Sequence, residues 1–126
     1  MSTLQANVAE RQGRVEGVRA QLVVAEQTYQ RLLAVAREAE EREAAARSHY
    51  YLCCADATAS LQRARENGDR ESAAGAGADR DRAMATSAPW GEAVAARKAA
   101  YAAAEAAREK CRQCALWYGR ALADAM

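Results

Sequence analysis

The sequence predicts an all-α protein built as a long, coiled-coil-like helical hairpin. Alanine and larger apolar residues recur in alternating steps of four and three through the first half of the 126-residue chain, which contains a single proline. A repeat of 3.5 residues keeps one face of a helix turned toward a neighbouring helix. Alanine loses no side-chain entropy in a helix but buries little area, so we expect thin helix-on-helix packing and no thick core.

The first helix is predicted over residues 3–66, where Ser2 or Thr3 can cap the N-terminus and no proline follows. We call the repeating face of this helix the seam, and three of its members, Arg11, Glu43 and Ser60, are charged or small polar residues. The seam consists of Leu4, Val8, Arg11, Val15, Val18, Leu22, Ala25, Tyr29, Leu32, Ala36, Ala39, Glu43, Ala46, Tyr50, Cys53, Ala57, Ser60 and Ala64.

Residues 67–87 predict a flexible connection, because glycine, aspartate and small residues dominate them. A structureless connection of this length is uncommon in a compact domain, so a helical part and a disordered part both stay open. One interpretation continues the first helix through Asn67 and Gly68 to Ala74, with Gly75 as a left-handed C-cap.

The second helix is predicted over residues 88–125. Ser87 can act as its N-cap, and Pro89 fits its first turn, where the missing N–H has no helical partner to lose. Its own repeating face consists of Ala93, Arg97, Ala100, Ala104, Ala107, Cys111, Cys114, Tyr118, Ala121 and Ala125. A second stripe contains Val94, Tyr101, Ala115 and Leu122, which predicts contact with more than one neighbour.

Antiparallel pairing of residues 40–66 with residues 88–125 leaves residues 1–39 as an unpaired N-terminal overhang. This overhang carries the most apolar part of the seam, and apolar area costs about 25 cal/mol per Å² when it stays in water. We therefore expect an oligomerisation or partner interface formed by Leu4, Val8, Val15, Val18, Leu22, Tyr29 and Leu32. The alternative is a helix break within residues 36–47, which would fold the N-terminal part back into a three-helix bundle.

The four cysteines form two groups that this pairing would bring together, with Cys54 beside Cys111 and Cys53 near Cys114. Three interpretations stay open. The pairs could be interhelical disulfides that reinforce a thin interface. Together with His49 they could form a Cys3His zinc site from His49, Cys53, Cys111 and Cys114, which would make zinc the one cofactor implied. They could also be reduced thiols that fill tight packing positions.

Composition limits the function classes. Lysine and arginine number 18 against 17 acidic residues, so no basic stripe for nucleic acid stands out. No apolar run reaches the roughly 18 residues of a membrane span, and no signal-peptide pattern opens the chain, so the cytoplasm is the expected compartment. Nucleophile, base and orienting group do not occur in any recognisable catalytic motif, which predicts a non-enzyme.

These observations together predict a helical structural or adaptor protein that mediates protein–protein assembly, either as a homo-oligomer or as a subunit of a larger assembly. A zinc-binding or disulfide-responsive helical protein is the alternative.

Two short elements add a further alternative. Trp90-Gly91 at the entrance to the second helix, and Tyr101 followed four residues later by Glu105, resemble two features of the small helical-hairpin proteins of type VII secretion. Those features are a tryptophan-glycine element at the turn and a tyrosine-acid export pattern. The resemblance involves only these residues. It implies a partner protein exported without a signal peptide, in surroundings where disulfides could persist.

Overall fold

The computed structural model describes residues 3–126, and these residues form three helices and no strand. They are α1 (Thr3–Asn67), α2 (Arg70–Ala85) and α3 (Ser87–Ala125). The described chain is 97% helical and forms a helical hairpin, which confirms the predicted all-α fold class. The expected bounds of the two long helices, 3–66 and 88–125, differ from α1 and α3 by one residue at one end of each.

The helices pack as two compact units. The terminal unit joins the α1 residues up to Ala36 with Ala100–Met126, and the central unit contains Arg37–Ala99. Helices α1 and α3 each contribute one segment to both units, whereas α2 lies entirely in the central unit. Each unit therefore has its own packed face.

In the terminal unit, the predicted seam of α1 is the face that packs. Its members from Val15 onward are buried or partly buried, and so are the predicted positions of α3, whereas the residues between them are mostly exposed. The packed residues are Val15, Val18, Leu22, Ala25, Tyr29, Leu32 and Ala36 on α1, and Ala100, Ala104, Ala107, Cys111, Cys114, Tyr118 and Ala121 on α3. Ala125, the last predicted position, is exposed.

The prediction of an unpaired overhang over residues 1–39 is wrong. Within the described part of that range, residues 3–14 are all exposed, but the seam from Val15 onward packs inside the chain against α3. Of the seven residues expected to form a partner interface, only Leu4 and Val8 stay exposed, at 74% and 46%. Val15, Val18, Leu22, Tyr29 and Leu32 are all partly buried in the terminal unit.

Helix α3 pairs with earlier residues of α1 than predicted, and the cause is helix α2. Residues 67–87 were predicted to be a flexible connection, but Arg70–Ala85 is a helix that packs on the C-terminal part of α1. It occupies the length of α1 that the prediction assigned to α3. Helix α3 consequently pairs with earlier residues of α1. The three-helix alternative is also wrong, because α1 has no break within residues 36–47.

The break between α1 and α2 occurs at Gly68, which has a φ of 66°. Glycine reaches this left-handed region without the Cβ clash that other residues meet. Asp69 then caps α2, because its side chain accepts a hydrogen bond of 2.8 Å from the backbone N–H of Ser72. Gly75, the C-cap of one sequence interpretation, lies inside α2 instead.

The junction between α2 and α3 is a single residue, Thr86, whose backbone stays in the right-handed helical region. Its hydroxyl donates a 2.7 Å hydrogen bond to the carbonyl of Ala83. Because the backbone hardly deviates, the four-and-three spacing of packed residues continues from α2 into α3. In the central unit, the packed residues with this spacing on α2, Thr86 and the first part of α3 are Ser72, Ala76, Asp79, Ala83, Thr86, Trp90, Ala93 and Arg97.

The left-handed backbone at Gly68 generates a first prediction. We expect Gly68→Ala to lower the free energy of unfolding by about 1 kcal/mol, because a Cβ at this φ is strained although open space surrounds it. Urea denaturation followed by circular dichroism measures the change.

Gly75→Ala is the matched control for this substitution. Gly75 is helical and also has open space around it, so alanine there should raise the free energy of unfolding by up to about 1 kcal/mol. Equal effects of the two substitutions would contradict the role assigned to Gly68.

Candidate functional site: an aromatic cluster, two cysteine groups and a groove

Three aromatic rings form a cluster in the central unit. Trp90, in the first turn of α3, lies 5.2 Å from Tyr50 and 5.6 Å from Tyr51 between ring centroids, and the two tyrosine rings are 5.8 Å apart. The tilted and edge-on arrangements are those that aromatic pairs prefer. The cluster joins the start of α3 to the C-terminal half of α1.

Trp90 also has a polar partner on α1. Its indole Nε1 donates a hydrogen bond of 3.3 Å to Oε1 of Glu43, whose other carboxylate oxygen lies 3.8 Å from a guanidinium nitrogen of Arg47. Glu43 is one of the polar interruptions of the seam, and it is buried. A buried carboxylate needs such partners, since burial without them is costly. The interruption is therefore a defined contact between helices.

The second buried interruption of the seam works in the same way. The hydroxyl of Ser60 donates a hydrogen bond to Asp79 of α2, and Arg63 donates one of 3.0 Å to the same hydroxyl. Arg82 pairs with Asp79 at 2.9 Å. The hydrogen bond from Ser60 is the main cause that lowers the pKa of Asp79, and the two arginines lower it further. Glu43 and Ser60, the two buried polar residues of the seam, thus contact the helices that pack against α1 in the central unit.

The four cysteines do not form the predicted pairs. All four are free, and no two of them lie at disulfide distance. Cys53 and Cys54 belong to the central unit, whereas Cys111 and Cys114 belong to the terminal unit. The predicted pairing of Cys54 with Cys111, and of Cys53 with Cys114, is wrong because it relied on the displaced register of α3.

Each cysteine group has its own surroundings. Burial raises the pKa of the Cys111 thiol above its ordinary value, and the nearby carboxylate of Glu26 and the thiol of Cys114 raise it further. A raised pKa leaves less of the reactive thiolate at neutral pH. In the central unit, a hydrogen bond with the Cys54 side chain is the main cause that raises the pKa of Tyr50. The Cys111 thiol therefore lacks the lowered pKa of an activated nucleophile.

The alternative of a zinc site is also wrong. Nε2 of His49 lies 3.9 Å from Sγ of Cys53, one helical turn away, but Cys111 and Cys114 do not join them. Among residues 3–126, no three histidine, cysteine, aspartate or glutamate side chains gather closely enough to hold a metal ion. His49 and Cys53 remain an isolated pair on α1.

The residues that resemble the type VII secretion pattern occupy different places. Trp90 is part of the aromatic cluster, and Gly91 follows it within α3. Tyr101 and Glu105 lie in the interior of α3. The disulfides that made export an attractive alternative are not formed.

A groove between α1 and α2 is the main feature that the sequence reasoning missed. Two adjoining cavities of about 370 and 360 Å³ share Ala57, Thr58 and Arg80 as lining residues, and we call them together the central groove. The remaining lining residues are Tyr50, Cys54, Leu61, Ala64, Ala73, Ala76, Gly77, Ala83, Met84 and Ser87. The spacing of Ser72, Ala76, Asp79, Ala83 and Thr86 was the available signal for α2.

The terminal unit has an apolar surface of its own. Val24 of α1 and Trp117 of α3 line one cavity of about 350 Å³, together with Thr28 and Lys110. Both apolar side chains are exposed, at 60% for Val24 and 47% for Trp117. Each unit thus keeps large apolar groups outside its packed face.

Comparisons with known proteins add no family. None of the helices within residues 3–126 has a stretch long and apolar enough to cross a membrane. The chain matches no model of a known protein family, and no curated protein or solved structure is significantly similar to it. Function therefore has to be inferred from the surfaces themselves.

The contact between Glu43 and Trp90 generates a second prediction. We expect Glu43→Ala to lower the free energy of unfolding by about 1–2 kcal/mol, because the indole N–H loses its acceptor in a partly buried place. We expect Trp90→Phe to cost less when Glu43 is already alanine. A double-mutant cycle by urea denaturation measures this coupling. Strictly additive effects would contradict the interaction.

The lowered pKa of Asp79 generates a third prediction, for acid conditions. Because the pKa is lower in the folded than in the unfolded protein, the stabilisation is present above the unfolded value near pH 3.9 and disappears as pH falls through the folded value. We expect Asp79→Asn to lower the melting temperature at neutral pH, with a smaller difference from the wild type in stronger acid.

Melting curves recorded at a series of pH values measure this difference. The exposed Asp56→Asn controls for the loss of one negative charge. A melting-temperature difference for Asp79→Asn that stays constant down to strong acid would contradict the assigned contact.

Proposed function

We propose that this protein is a non-enzymatic structural or adaptor protein, which mediates protein–protein assembly through apolar surfaces beside its packed faces. The carrying observation is that both units expose large apolar side chains. They are Leu4, Val8, Val23, Val24, Val35, Leu116, Trp117, Leu122 and Met126 in the terminal unit, and Tyr51, Leu52, Leu61 and Met84 in the central unit.

The exposed residues matter because the packed faces are made mainly of small ones. Alanine and cysteine form most of the buried core, whereas the larger apolar side chains are at most partly buried and many of them stay exposed. Single exposed apolar residues are normal in soluble proteins, whereas grouped ones are typical of interaction surfaces. Leu61 and Met84 around one groove, and Val24 with Trp117 around another, are grouped in this sense.

In this proposal the seam is not the main assembly surface. From Val15 to Ala64 its residues face helices of the same chain, and only Leu4, Val8 and Arg11 extend beyond them. We therefore propose that assembly uses the exposed apolar side chains beside the packed faces. The product is either a homo-oligomer or a larger assembly.

The non-enzymatic part of the proposal is supported by the surroundings of the perturbed groups. Asp69 caps α2, Asp79 accepts a hydrogen bond from Ser60 and pairs with Arg82, and burial is the largest cause of the raised pKa of Cys111. A catalytic centre brings such groups together in one pocket with a nucleophile and a base. Here each perturbed group has a local structural explanation.

The fourth prediction tests assembly in the cells that make the protein. We expect a photo-crosslinking residue at Met84 or Trp117 to capture defined protein adducts, since these exposed apolar side chains face a partner. The same residue at exposed Gln62 is the matched control. Mass spectrometry of the adducts identifies whether the partner is a second copy or another protein.

A loss-of-contact variant completes this test. Val24→Asp, at an exposed side chain that lines the same cavity as Trp117, is expected to abolish the adducts at position 117 while the circular dichroism spectrum stays helical. A protein that yields no adducts above the Gln62 control, and that sediments as a compact monomer at every concentration, would contradict the proposed function.

A further inference from the structure

We propose that the central groove binds one amphipathic α-helix of a different protein, with apolar side chains in the groove and a carboxylate paired to Arg80. This inference rests on the proposed assembly function and specifies one of its surfaces and the chemistry of its partner.

The shape of the groove fits a helix. On α1 it extends from Tyr50 to Ala64, which is about 21 Å at 1.5 Å per residue, and on α2 it extends from Ala73 to Ser87, just past the helix end. Two helices packed side by side leave a groove between them, and an amphipathic helix can place its apolar face there. A segment of about four helical turns would fill this length.

The lining of the central groove is mainly apolar and combines small side chains with two larger ones. Ala57, Ala73 and Gly77 leave room for side chains of an approaching helix. Leu61 and Met84 stand at the sides and are 45% and 65% exposed. Methionine adapts its flexible side chain to the shape of a partner, which makes it common on binding surfaces. The surface can therefore accept leucine-like anchors spaced by three or four residues.

The charge of the groove selects the partner. Arg80 is the one charged side chain among the described residues that line the two cavities. It is 73% exposed, and its ion pair with the neighbouring Asp81 is long, at 3.8 Å, between two exposed groups. Such a pair contributes little, so the guanidinium stays available for a carboxylate of the partner.

The same charge argues against a second copy of this chain as the occupant. Two identical grooves facing each other would supply no carboxylate for Arg80 among their described lining residues. The exposed N-terminal turns, residues 3–14, offer Leu4 and Val8, but Arg11 lies on the same face and would bring a second positive charge. Glu10, the acidic residue of these turns, lies on a different face of the helix and pairs with Arg14. A partner helix with an acidic residue beside its apolar face avoids both conflicts.

The test uses two synthetic helical peptides as probes. Both have leucines at alternating steps of three and four residues, and they differ at one flanking position, which is glutamate in one peptide and lysine in the other. We expect the glutamate peptide to shift the methyl resonances of Leu61 and Met84 in the full-length protein. We expect the lysine peptide to bind up to about fivefold more weakly, the factor that one ion pair of an exposed arginine supplies.

Two variants locate the binding and keep the fold. Gly77→Leu places a side chain in open space within the groove, and its backbone is helical, so the protein should fold while the glutamate peptide loses at least about tenfold in affinity. Gly75→Leu adds the same side chain to α2 outside the central groove and should bind like the wild type. Arg80→Glu should reverse the preference between the two peptides.

Each outcome decides the inference. Absence of shifts at Leu61 and Met84, equal affinity of the two peptides, or unchanged binding by Gly77→Leu would overturn it. A wild-type oligomer that Gly77→Leu dissociates would make a second copy the occupant, which also overturns it. In that last case the proposed assembly function stands, and it likewise stands if the peptides fail but crosslinks at Trp117 persist.

Discussion

The close approach of helices through small side chains is the constraint on which the rest of this structure depends. Ala25, Ala36, Ala104, Cys114 and Ala121 are the buried centre of the terminal unit, and alanines with Cys53 serve the same purpose in the central unit. Small residues let two helices pack closely but bury little apolar area per contact. The packing is therefore thin, and larger side chains are left on the outside of both units.

An interface of alanines also does little to fix how far one helix is shifted along the other. One alanine fits opposite another nearly as well after a shift of a heptad, so other contacts must select the pairing. In the central unit two polar pairs do this. Glu43 receives the indole of Trp90, and Ser60 binds Asp79. A shift along the helix would separate both pairs and leave buried polar atoms unsatisfied.

The sequence predicted the helices and their packed faces well, because a 3.5-residue period and helix-forming residues are local signals. The register could not be predicted, since it depends on α2, whose glycines and aspartates are typical of a loop. Asp69 and Gly68 are in fact a cap and a break, whereas Gly75 and Gly77 are tolerated inside the helix. Because the predicted position of α3 along α1 was wrong, the predicted cysteine pairs were wrong as well. The cysteines do lie on or beside the packed faces, as the spacing predicts. The central groove was missed for the same reason.

Helix α2 is the shortest of the three helices, with 16 residues. It follows the break at Gly68, contains two glycines, and has Ala76 and Ala83 as its buried residues. Segments with few buried apolar contacts open more readily than the rest of a protein, and their amides exchange with solvent at a lower free-energy cost. We therefore expect this wall of the central groove to open locally at a lower free-energy cost than global unfolding. A ligand held between α1 and α2 would protect the amides of α2 from exchange, because binding is thermodynamically linked to the ordering of this helix.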